Sequence, residues 1–224
     1  MDRRQSIALC SGLLLAPSMA LAGGDACEVG AVAAGRAERT ASPVSHAADV
    51  VEFFSFYCPP CYAFRHQFGI DEGIRRALPP EKQMVKCHVD FLGALGPEMT
   101  HAWSVAMILG IEDDVEPLLF DAVQVKRSLK TPADIRAVFE KAGVDGAEYE
   151  RLLDSPVVKE KSAEQRGLFK AFRVTGTPAV YVNGRYHINN GAFAGETVAQ
   201  FRDEYVSVVT ELLKTGQGHE SGRC

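Results

Sequence analysis

The chain has 224 residues, of which 24% are charged and 46% hydrophobic, and its formal net charge is −5 at pH 7. This mild acidity comes without a cluster of lysine and arginine residues, so it argues against nucleic acid as a partner. The length fits one large domain or a domain that contains an insertion, and the sequence has no internal repeats or low-complexity linkers.

The first 22 residues have the pattern of a secretory signal peptide. Arg3 and Arg4 form its positive end, residues 7–15 its apolar stretch, and residues 20–22 an A-x-A cleavage site. The apolar stretch is too short for a membrane span, which needs about 20 residues. We therefore expect residues 1–22 to be removed on export, so that 202 of the 224 residues remain in an oxidising compartment where disulfides persist.

A strand, a helix and a second strand are predicted in the first half of the chain. Residues 50–56 form a short apolar run rich in aromatic and β-branched residues, which is typical of a buried strand. Helical spacing of apolar residues begins after Cys58 and is interrupted near Gly69, and residues 84–91 form the second strand. This order predicts a βαβ unit, with Cys58 and Cys61 at the turn from strand to helix.

The pattern from about residue 93 to 167 is all helical. Strand signals return in residues 179–182 and 185–188, and the turn pair Asn183-Gly184 between them predicts a hairpin. Apolar residues at helical spacing then predict a closing helix. Together these elements indicate an α/β domain that is interrupted by a helical insertion.

The C-x-x-C pair of Cys58 and Cys61 has four possible meanings. A structural zinc site needs four ligands, usually with a second close pair, and no other cysteines or histidines in the sequence have that spacing. Haem attachment requires a histidine directly after the second cysteine, where Tyr62 stands. An inert staple remains open, although closing so short a loop removes little unfolded-state entropy.

A redox-active pair is the interpretation that best explains the position of these cysteines. Pro59 and Pro60 fit the first turn of a helix, where their missing N–H groups are not needed. A cysteine at a helix start is favoured as thiolate, the species that attacks and leaves in disulfide exchange. We therefore expect Cys58 to be the exposed, reactive sulfur and Cys61 the buried sulfur that resolves mixed disulfides.

Four longer segments resemble the DsbA family of bacterial periplasmic thiol oxidases. They are "EFFSFYCPPCYAF" (52–64), "VKCHVDF" (85–91), "AWSVAMILGIEDDVEPLLF" (102–120) and "VTGTPAVYVNGRY" (174–186). The resemblance extends in order from about residue 35 to 212. It implies an α/β thioredoxin fold with an inserted all-helical domain. The chain then divides into a signal peptide (1–22), the first part of the thioredoxin-like domain (23–91), the helical insertion (92–165), the second part of the thioredoxin-like domain (166–214) and a flexible tail (215–224).

The resemblance also implies which residues form the site. Cys58 and Cys61 match the catalytic pair of the family, and Pro59 and Pro60 are the two residues between them. The loop that contains Thr177 and Pro178 matches the one whose cis-proline faces the disulfide and binds the substrate backbone. No metal and no cofactor is implied.

Glu52 and Lys86 match a buried acid and base beneath the family's active site. From the residues alone, a structural ion pair or two chain ends that reach solvent would explain them equally well. With the resemblance, Glu52 is interpreted as a relay for the proton of Cys61, because a buried carboxylate near a thiol can exchange protons as either group ionises.

Two positions depart from the family pattern. Pro60 stands where the family usually has a histidine, which removes an imidazole that would favour the Cys58 thiolate. We therefore expect a higher pKa for Cys58 and a weaker oxidant. Arg65 stands where the family often has an acidic residue, and a cation at this position is expected to favour the thiolate and offset part of this loss.

The predicted function is that of a periplasmic dithiol oxidase, which donates its Cys58–Cys61 disulfide to reduced, unfolded exported proteins through a mixed disulfide. The resemblance implies a monomer that is reoxidised by a DsbB-like, quinone-linked membrane oxidase. One alternative is a less oxidising reductase or isomerase of similar fold, although residues 23–34 are too few for the dimerisation domain that such isomerases usually add. An alternative from another class is a peptide-binding chaperone module whose disulfide is inert.

After export the chain would keep three cysteines besides Cys58 and Cys61, which makes five in total. Because five is an odd number, at least one thiol is free or pairs outside the chain. Cys87 lies next to Lys86 in a predicted strand, where neighbouring side chains point to opposite faces. We expect Cys87 to be a buried, inert thiol. We expect Cys224 to be free or to form a disulfide with another molecule. A disulfide between Cys27 and Cys224 is the less favoured alternative.

Overall fold

The computed structural model describes residues 35–215. The predicted signal peptide, Cys27, Cys224 and most of the predicted tail lie outside the described residues. No helix within residues 35–215 is both long and apolar enough to cross a membrane.

The described residues contain one mixed, five-stranded sheet. Its strands in chain order are β1 (Ala37–Arg39), β2 (Val50–Phe54), β3 (Met84–His88), β4 (Ala179–Val182) and β5 (Tyr186–Ile188). They lie in the order β1-β5-β4-β2-β3, with β2 and β3 parallel and the other pairs antiparallel. The predicted βαβ unit and the predicted hairpin are confirmed.

Helices pack on both faces of this sheet. The α-helices are α1 (Pro59–Tyr62), α2 (Ile70–Ala77), α3 (Gly96–Leu109), α4 (Glu112–Phe120), α5 (Pro132–Lys141), α6 (Gly146–Leu153), α7 (Pro156–Ala171) and α8 (Val198–Thr215). One π-helical turn follows α1 (Ala63–Gln67), another follows α4 (Asp121–Val125), and a 3₁₀ turn covers Asn190–Ala192.

Both strands of the βαβ unit are shorter than predicted, because β2 ends at Phe54 and β3 at His88. The carbonyl of Ser55 accepts a hydrogen bond from the N–H of Cys58 at 3.0 Å, which closes the turn into α1. The predicted interruption at Gly69 is confirmed. This glycine has a φ of 62°, in the left-handed region that other residues rarely adopt, and α2 starts directly after it.

The hairpin between β4 and β5 has the turn that its sequence predicts. Asn183 and Gly184 have φ values of 52° and 62°, so both adopt the left-handed conformation of a type I′ turn. A Cβ atom at Gly184 would lie 2.1 Å from the carbonyl oxygen of Val44, which explains why only glycine fits there.

The insertion is helical, as predicted, and it packs on the sheet next to β3. Its central helix α3 contacts α4, α6 and α7, and α7 runs through position 165, where the sequence division falls. The indole N–H of Trp103 in α3 donates to the Lys86 carbonyl at 2.8 Å. Phe54 and Phe56 pack edge-on against the same indole, with ring centroids 5.2 and 5.7 Å away. The insertion and the sheet therefore share one hydrophobic core.

Candidate active site

Cys58 and Cys61 lie at the N-terminal end of α1, after the turn that follows β2. Cys58 is the N-cap residue of α1, and Cys61 is in its first turn. Their exposed fractions are 5% and 1%, so Cys58 is the more accessible of the two. The prediction that Cys58 is exposed is wrong, because the loop around Thr177 packs over its sulfur, whereas the prediction that Cys61 is buried is confirmed.

The sulfur of Cys58 is held by contacts from two elements. It accepts a hydrogen bond from the backbone N–H of Cys61 at 3.2 Å. Its S–H donates to the carbonyl oxygen of Thr177 at 3.3 Å. The peptide bond between Thr177 and Pro178 is cis, as the family resemblance implied. The structure thus brings Cys61 and Thr177, two of the predicted site residues, to the sulfur of Cys58, and Pro178 directly follows Thr177.

Pro59 and Pro60 determine how many backbone donors this sulfur can have. They occupy the first two positions of α1, where the N–H groups of a helix are free to bind an N-cap side chain. Proline has no N–H, so the first backbone donor of the helix is that of Cys61. Pro60 therefore removes a backbone donor as well as the side chain of the family's usual histidine.

The two thiols differ strongly in acidity. The hydrogen bond with the Cys61 thiol lowers the pKa of Cys58 to about 7, assisted by the Cys61 backbone N–H and opposed by burial. Burial and the neighbouring Cys58 raise the pKa of Cys61 far above its usual range. Near neutral pH, Cys58 therefore exists partly as thiolate, whereas Cys61 stays protonated.

Glu52 and Lys86 face each other across β2 and β3, as their register requires. The carboxylate oxygen Oε2 of Glu52 lies 3.5 Å from Nζ of Lys86, and the two side chains are 1% and 3% exposed. The predicted buried pair is therefore confirmed as a contact. Cys87 is buried on the opposite face of β3, also as predicted, and burial raises its pKa to about 12.

Two buried carboxylates beside Lys86 were not predicted. Nζ of Lys86 donates to Oδ2 of Asp71, at 2.8 Å, and to Oε1 of Glu116. Asp71 belongs to α2, and Glu116 comes from α4 of the insertion. The sequence holds one signal that would have identified Glu116. Glu116 lies next to Val115 and precedes Leu119 and Phe120 by three and four residues, which is the spacing of one buried face of a helix. An apolar side chain is expected at such a position.

Arg65 does not act as predicted. Its guanidinium lies 3.4 Å from Asp71 and 3.5 Å from Glu116, so its charge is directed to the buried carboxylates. The contacts that lower the pKa of Cys58 come from Cys61 and Thr177, and the expectation that Arg65 supports the thiolate is wrong. The physical reason is that two carboxylates within reach attract a cation more strongly than a half-ionised thiol.

The cluster of Glu52, Asp71, Glu116, Lys86 and Arg65 divides its charges unevenly. Burial raises the pKa of Glu52 to about 7, reinforced by the charges of Asp71 and Glu116 and opposed by Lys86. Burial also opposes the ionisation of Asp71, but Lys86 and Arg65 hold its pKa below the usual range. Burial disfavours the charged form of Lys86 as well, but the three carboxylates raise its pKa above the usual range.

The insertion also fixes the turn that precedes Cys58. The side-chain amide of Gln124 donates to the Phe56 carbonyl at 2.7 Å, and Nε2 of His88 accepts from the Phe56 N–H at 3.4 Å. Nδ1 of His88 lies 2.9 Å from the hydroxyl of Thr100 in α3. Burial lowers the pKa of His88 to about 3, so this histidine is neutral and both ring nitrogens are engaged.

A cleft of about 390 Å³ lies beside the Thr177–Pro178 loop. Its lining includes residues 175–179 and 187–191, together with Tyr181. Within residues 35–215, no group of three or more His, Cys, Asp or Glu side chains is arranged to hold a metal ion.

Comparisons with known proteins identify the family of this chain. Residues 49–205 match the family described as the DSBA-like thioredoxin domain. The thiol:disulfide interchange protein DsbA of Dickeya dadantii is 46% identical over 171 residues, which are 76% of this chain and 83% of the relative. The protein of the same name from Yersinia pestis is 43% identical over the same shares.

Solved structures show the same architecture. SrgA from Salmonella enterica serovar Typhimurium is 49% identical, with a TM-score of 0.77 over 79% of this chain and 98% of that chain. A Proteus mirabilis DsbA variant with a non-covalently bound peptide is 37% identical, with a TM-score of 0.78 over 80% and 96%. These matches confirm the α/β thioredoxin fold with an inserted helical domain. The chain belongs to the DSBA-like family of thioredoxin-domain proteins.

Proposed function

We propose that this protein is a periplasmic dithiol oxidase that donates a Cys58–Cys61 disulfide to unfolded exported proteins. Thiol:disulfide interchange is the activity that names its relatives, and the chain spans 83% of the first of them. The observation that carries the assignment of roles is the asymmetry of the two thiols. The pKa of Cys58 lies at about 7, and that of Cys61 lies far above its usual range.

This asymmetry fits two successive exchange steps. A substrate thiolate attacks the sulfur of Cys58, which is the more accessible, and the Cys58–Cys61 bond breaks with its electron pair moving to Cys61. A second substrate thiolate then attacks the substrate sulfur of the mixed disulfide, and Cys58 leaves as a thiolate. Because the pKa of Cys58 is lowered, its thiolate leaves more readily in this second step than a thiolate of ordinary pKa would. The substrate is oxidised, and the two cysteines are reduced.

Cys61 needs a proton in the first step, because its raised pKa makes the thiolate a high-energy product. We infer that Glu52 supplies it, since the pKa of this carboxyl is about 7 and it is therefore partly protonated near neutral pH. In this account Lys86 stabilises Glu52 after the proton has left. Glu52 and Lys86 are thus supporting residues that do not touch the substrate.

Thr177 and Pro178 are assigned to substrate binding. The Thr177 carbonyl reaches the sulfur of Cys58, and the cleft beside this loop provides space for an extended peptide. A peptide is bound to the Proteus mirabilis relative, which supports binding of a polypeptide substrate here.

The remaining parts of the proposal rest on the family. We infer export to the periplasm with cleavage of residues 1–22, a monomer, and reoxidation by a DsbB-like, quinone-linked membrane oxidase. We also propose that residues 23–91 and 166–214 form the thioredoxin-like domain and residues 92–165 the helical insertion. Helix α7 crosses the boundary between residues 165 and 166.

Incubation of the oxidised protein with a reduced, unfolded substrate tests the function. The expected result is one substrate disulfide formed for each Cys58–Cys61 disulfide lost. Reshuffling of existing disulfides without net transfer would indicate an isomerase. This rival has one specific observation in its favour, because Pro60 removes a donor to the thiolate and so weakens the oxidant. Binding of the substrate without any exchange would indicate a chaperone module.

A further inference from the structure

The cluster around Lys86 contains more negative than positive groups. Three carboxylates, those of Glu52, Asp71 and Glu116, have side chains at most 1% exposed. Two cations contact them, Lys86 at 3% exposure and Arg65 at 17%. Burying a charge without a partner costs several kcal/mol, so a cluster of three acids and two bases favours one acid in the neutral form.

The contacts indicate which acid is neutral. Asp71 and Glu116 each lie within 3.5 Å of both Lys86 and Arg65. Among the described residues, Glu52 has one cation within 4 Å, Lys86 at 3.5 Å. Its Oε2 atom has no hydrogen-bond donor among them, and neither has Oε2 of Glu116, but the latter lies 3.5 Å from the Arg65 guanidinium. Glu52 is therefore the carboxyl with the weakest stabilisation of its charged form.

We propose that Glu116, contributed by the inserted helical domain, is a positioning residue that binds the ammonium of Lys86 and thereby keeps Glu52 protonated. Asp71 acts in the same way from α2. The insertion thus sets the protonation state of an acid in the thioredoxin part of the site, in addition to packing against it. The raised pKa of Glu52 and the lowered pKa of Asp71 agree with this arrangement.

The charges around Glu52 come from several elements, and Arg65 joins them through its contacts with Asp71 and Glu116. The charged or titratable groups near Glu52 among the described residues are Lys86 on β3, Asp71 and Arg75 on α2, Glu116 on α4 and Tyr205 on α8, whereas Cys87 lies on the other face of β3. The residue paired with Glu52 on β4 is the apolar Val180. Of these groups, Glu116 is the one whose charge comes from the insertion.

Neutralising Glu116 tests the proposal. In Glu116→Gln, Lys86 and Arg65 would balance Asp71 and Glu52, so Glu52 should ionise more easily. We expect the pH midpoint of its carboxyl titration to fall by about one unit or more. At a pH well above this midpoint, the protonated fraction of Glu52 would then be about tenfold smaller. The midpoint is measured by NMR of protein with ¹³C-labelled carboxyl groups, and the Glu52→Gln spectrum assigns the signal. The same spectra show whether each variant is folded.

Three further variants make the result specific. Asp114→Asn removes the same charge from an exposed position of α4 and should leave the Glu52 midpoint in place. Glu116→Asp keeps the charge and should retain most of the raised midpoint. Asp71→Asn should lower the midpoint, which provides a second test if Glu116→Gln does not fold. A Glu52 midpoint that is unchanged or higher in a folded Glu116→Gln or Asp71→Asn variant would overturn the proposal.

One consequence of this inference rests on the proposed function: the pH profile of disulfide transfer should move with the Glu52 midpoint. The carboxyl titration itself requires no transfer. A protein that transfers disulfides but shows equal midpoints in Glu116→Gln and Asp114→Asn would refute the inference and leave the function intact. A protein that transfers none, but whose midpoint falls as expected, would refute the function and support the inference.

Discussion

Replacing Pro60 by histidine should make the protein a stronger oxidant. In the structure, the sulfur of Cys58 has one backbone donor, the N–H of Cys61, because neither proline of α1 can supply one. Pro60→His adds a backbone N–H and an imidazole near this sulfur. A hydrogen bond to a charged group contributes about 1.5–3 kcal/mol, which corresponds to roughly one to two pKa units for the thiol.

The shift in potential follows from the pKa of Cys58. At a pKa of about 7, ionisation stabilises the reduced form at pH 7 by RT ln 2, about 0.4 kcal/mol. A pKa lower by one to two units raises this term to about 1.4–2.7 kcal/mol, a gain of about 1.0–2.3 kcal/mol. About 30 mV corresponds to 1.4 kcal/mol for this two-electron couple, so the potential should rise by about 20–50 mV.

The potential is measured by equilibrium with glutathione, and the pKa of Cys58 by ultraviolet absorbance of the thiolate. Pro60→Ala restores the backbone N–H without the imidazole, so its potential should lie between those of the unmodified protein and Pro60→His. Pro80→His makes the same substitution at the exposed end of another Pro-Pro pair and should change neither quantity. A Pro60→His potential that is equal to or lower than that of the unmodified protein would refute the reasoning.

Cys58→Ser should abolish disulfide transfer, whereas Cys61→Ser should accumulate mixed disulfides with substrate, which non-reducing gels and peptide mapping detect. Mixed disulfides that accumulate through Cys61 in Cys58→Ser, with none in Cys61→Ser, would contradict the assigned roles. Because the pKa of His88 is about 3 when folded and about 6.5 when unfolded, its contribution to stability is complete above pH 6.5 and is lost as the pH falls towards 3, by up to about 5 kcal/mol. Urea unfolding of His88→Gln should therefore show a weaker decline over this range than that of the surface variant His46→Asn, and equal slopes would contradict this. Cys87 should react with thiol reagents only after denaturation, and rapid labelling of this residue in the native protein would show that it is not buried.

The sequence predicted those parts of the fold that depend on local signals. The hairpin turn follows from Asn183 and Gly184, because few residues accept the positive φ angles that a type I′ turn requires. The opposite orientations of Lys86 and Cys87 follow from strand alternation once the strand is known. The π-helical turn at residues 63–67 had no sequence signal, because helical spacing does not distinguish it from an α-helix.

The buried charges were predicted only in part, since their partners are distant in sequence. Lys86 meets Asp71 and Glu116 across 15 and 30 residues, and helix packing rather than local pattern brings these groups together. The same cause explains the error for Arg65, whose side chain was expected near Cys58 from its spacing alone. Packing of α2 and α4 around this guanidinium directs it to carboxylates instead.

The most direct test of the account is the rate of alkylation of each thiol in the reduced protein as a function of pH. Cys58 is assigned as the reactive sulfur and Cys61 as a thiol that stays protonated. Iodoacetamide labelling, followed by peptide mapping, should modify Cys58 with a midpoint near pH 7 and leave Cys61 unmodified over the same range. Faster modification of Cys61 than of Cys58 at neutral pH would contradict the central claim.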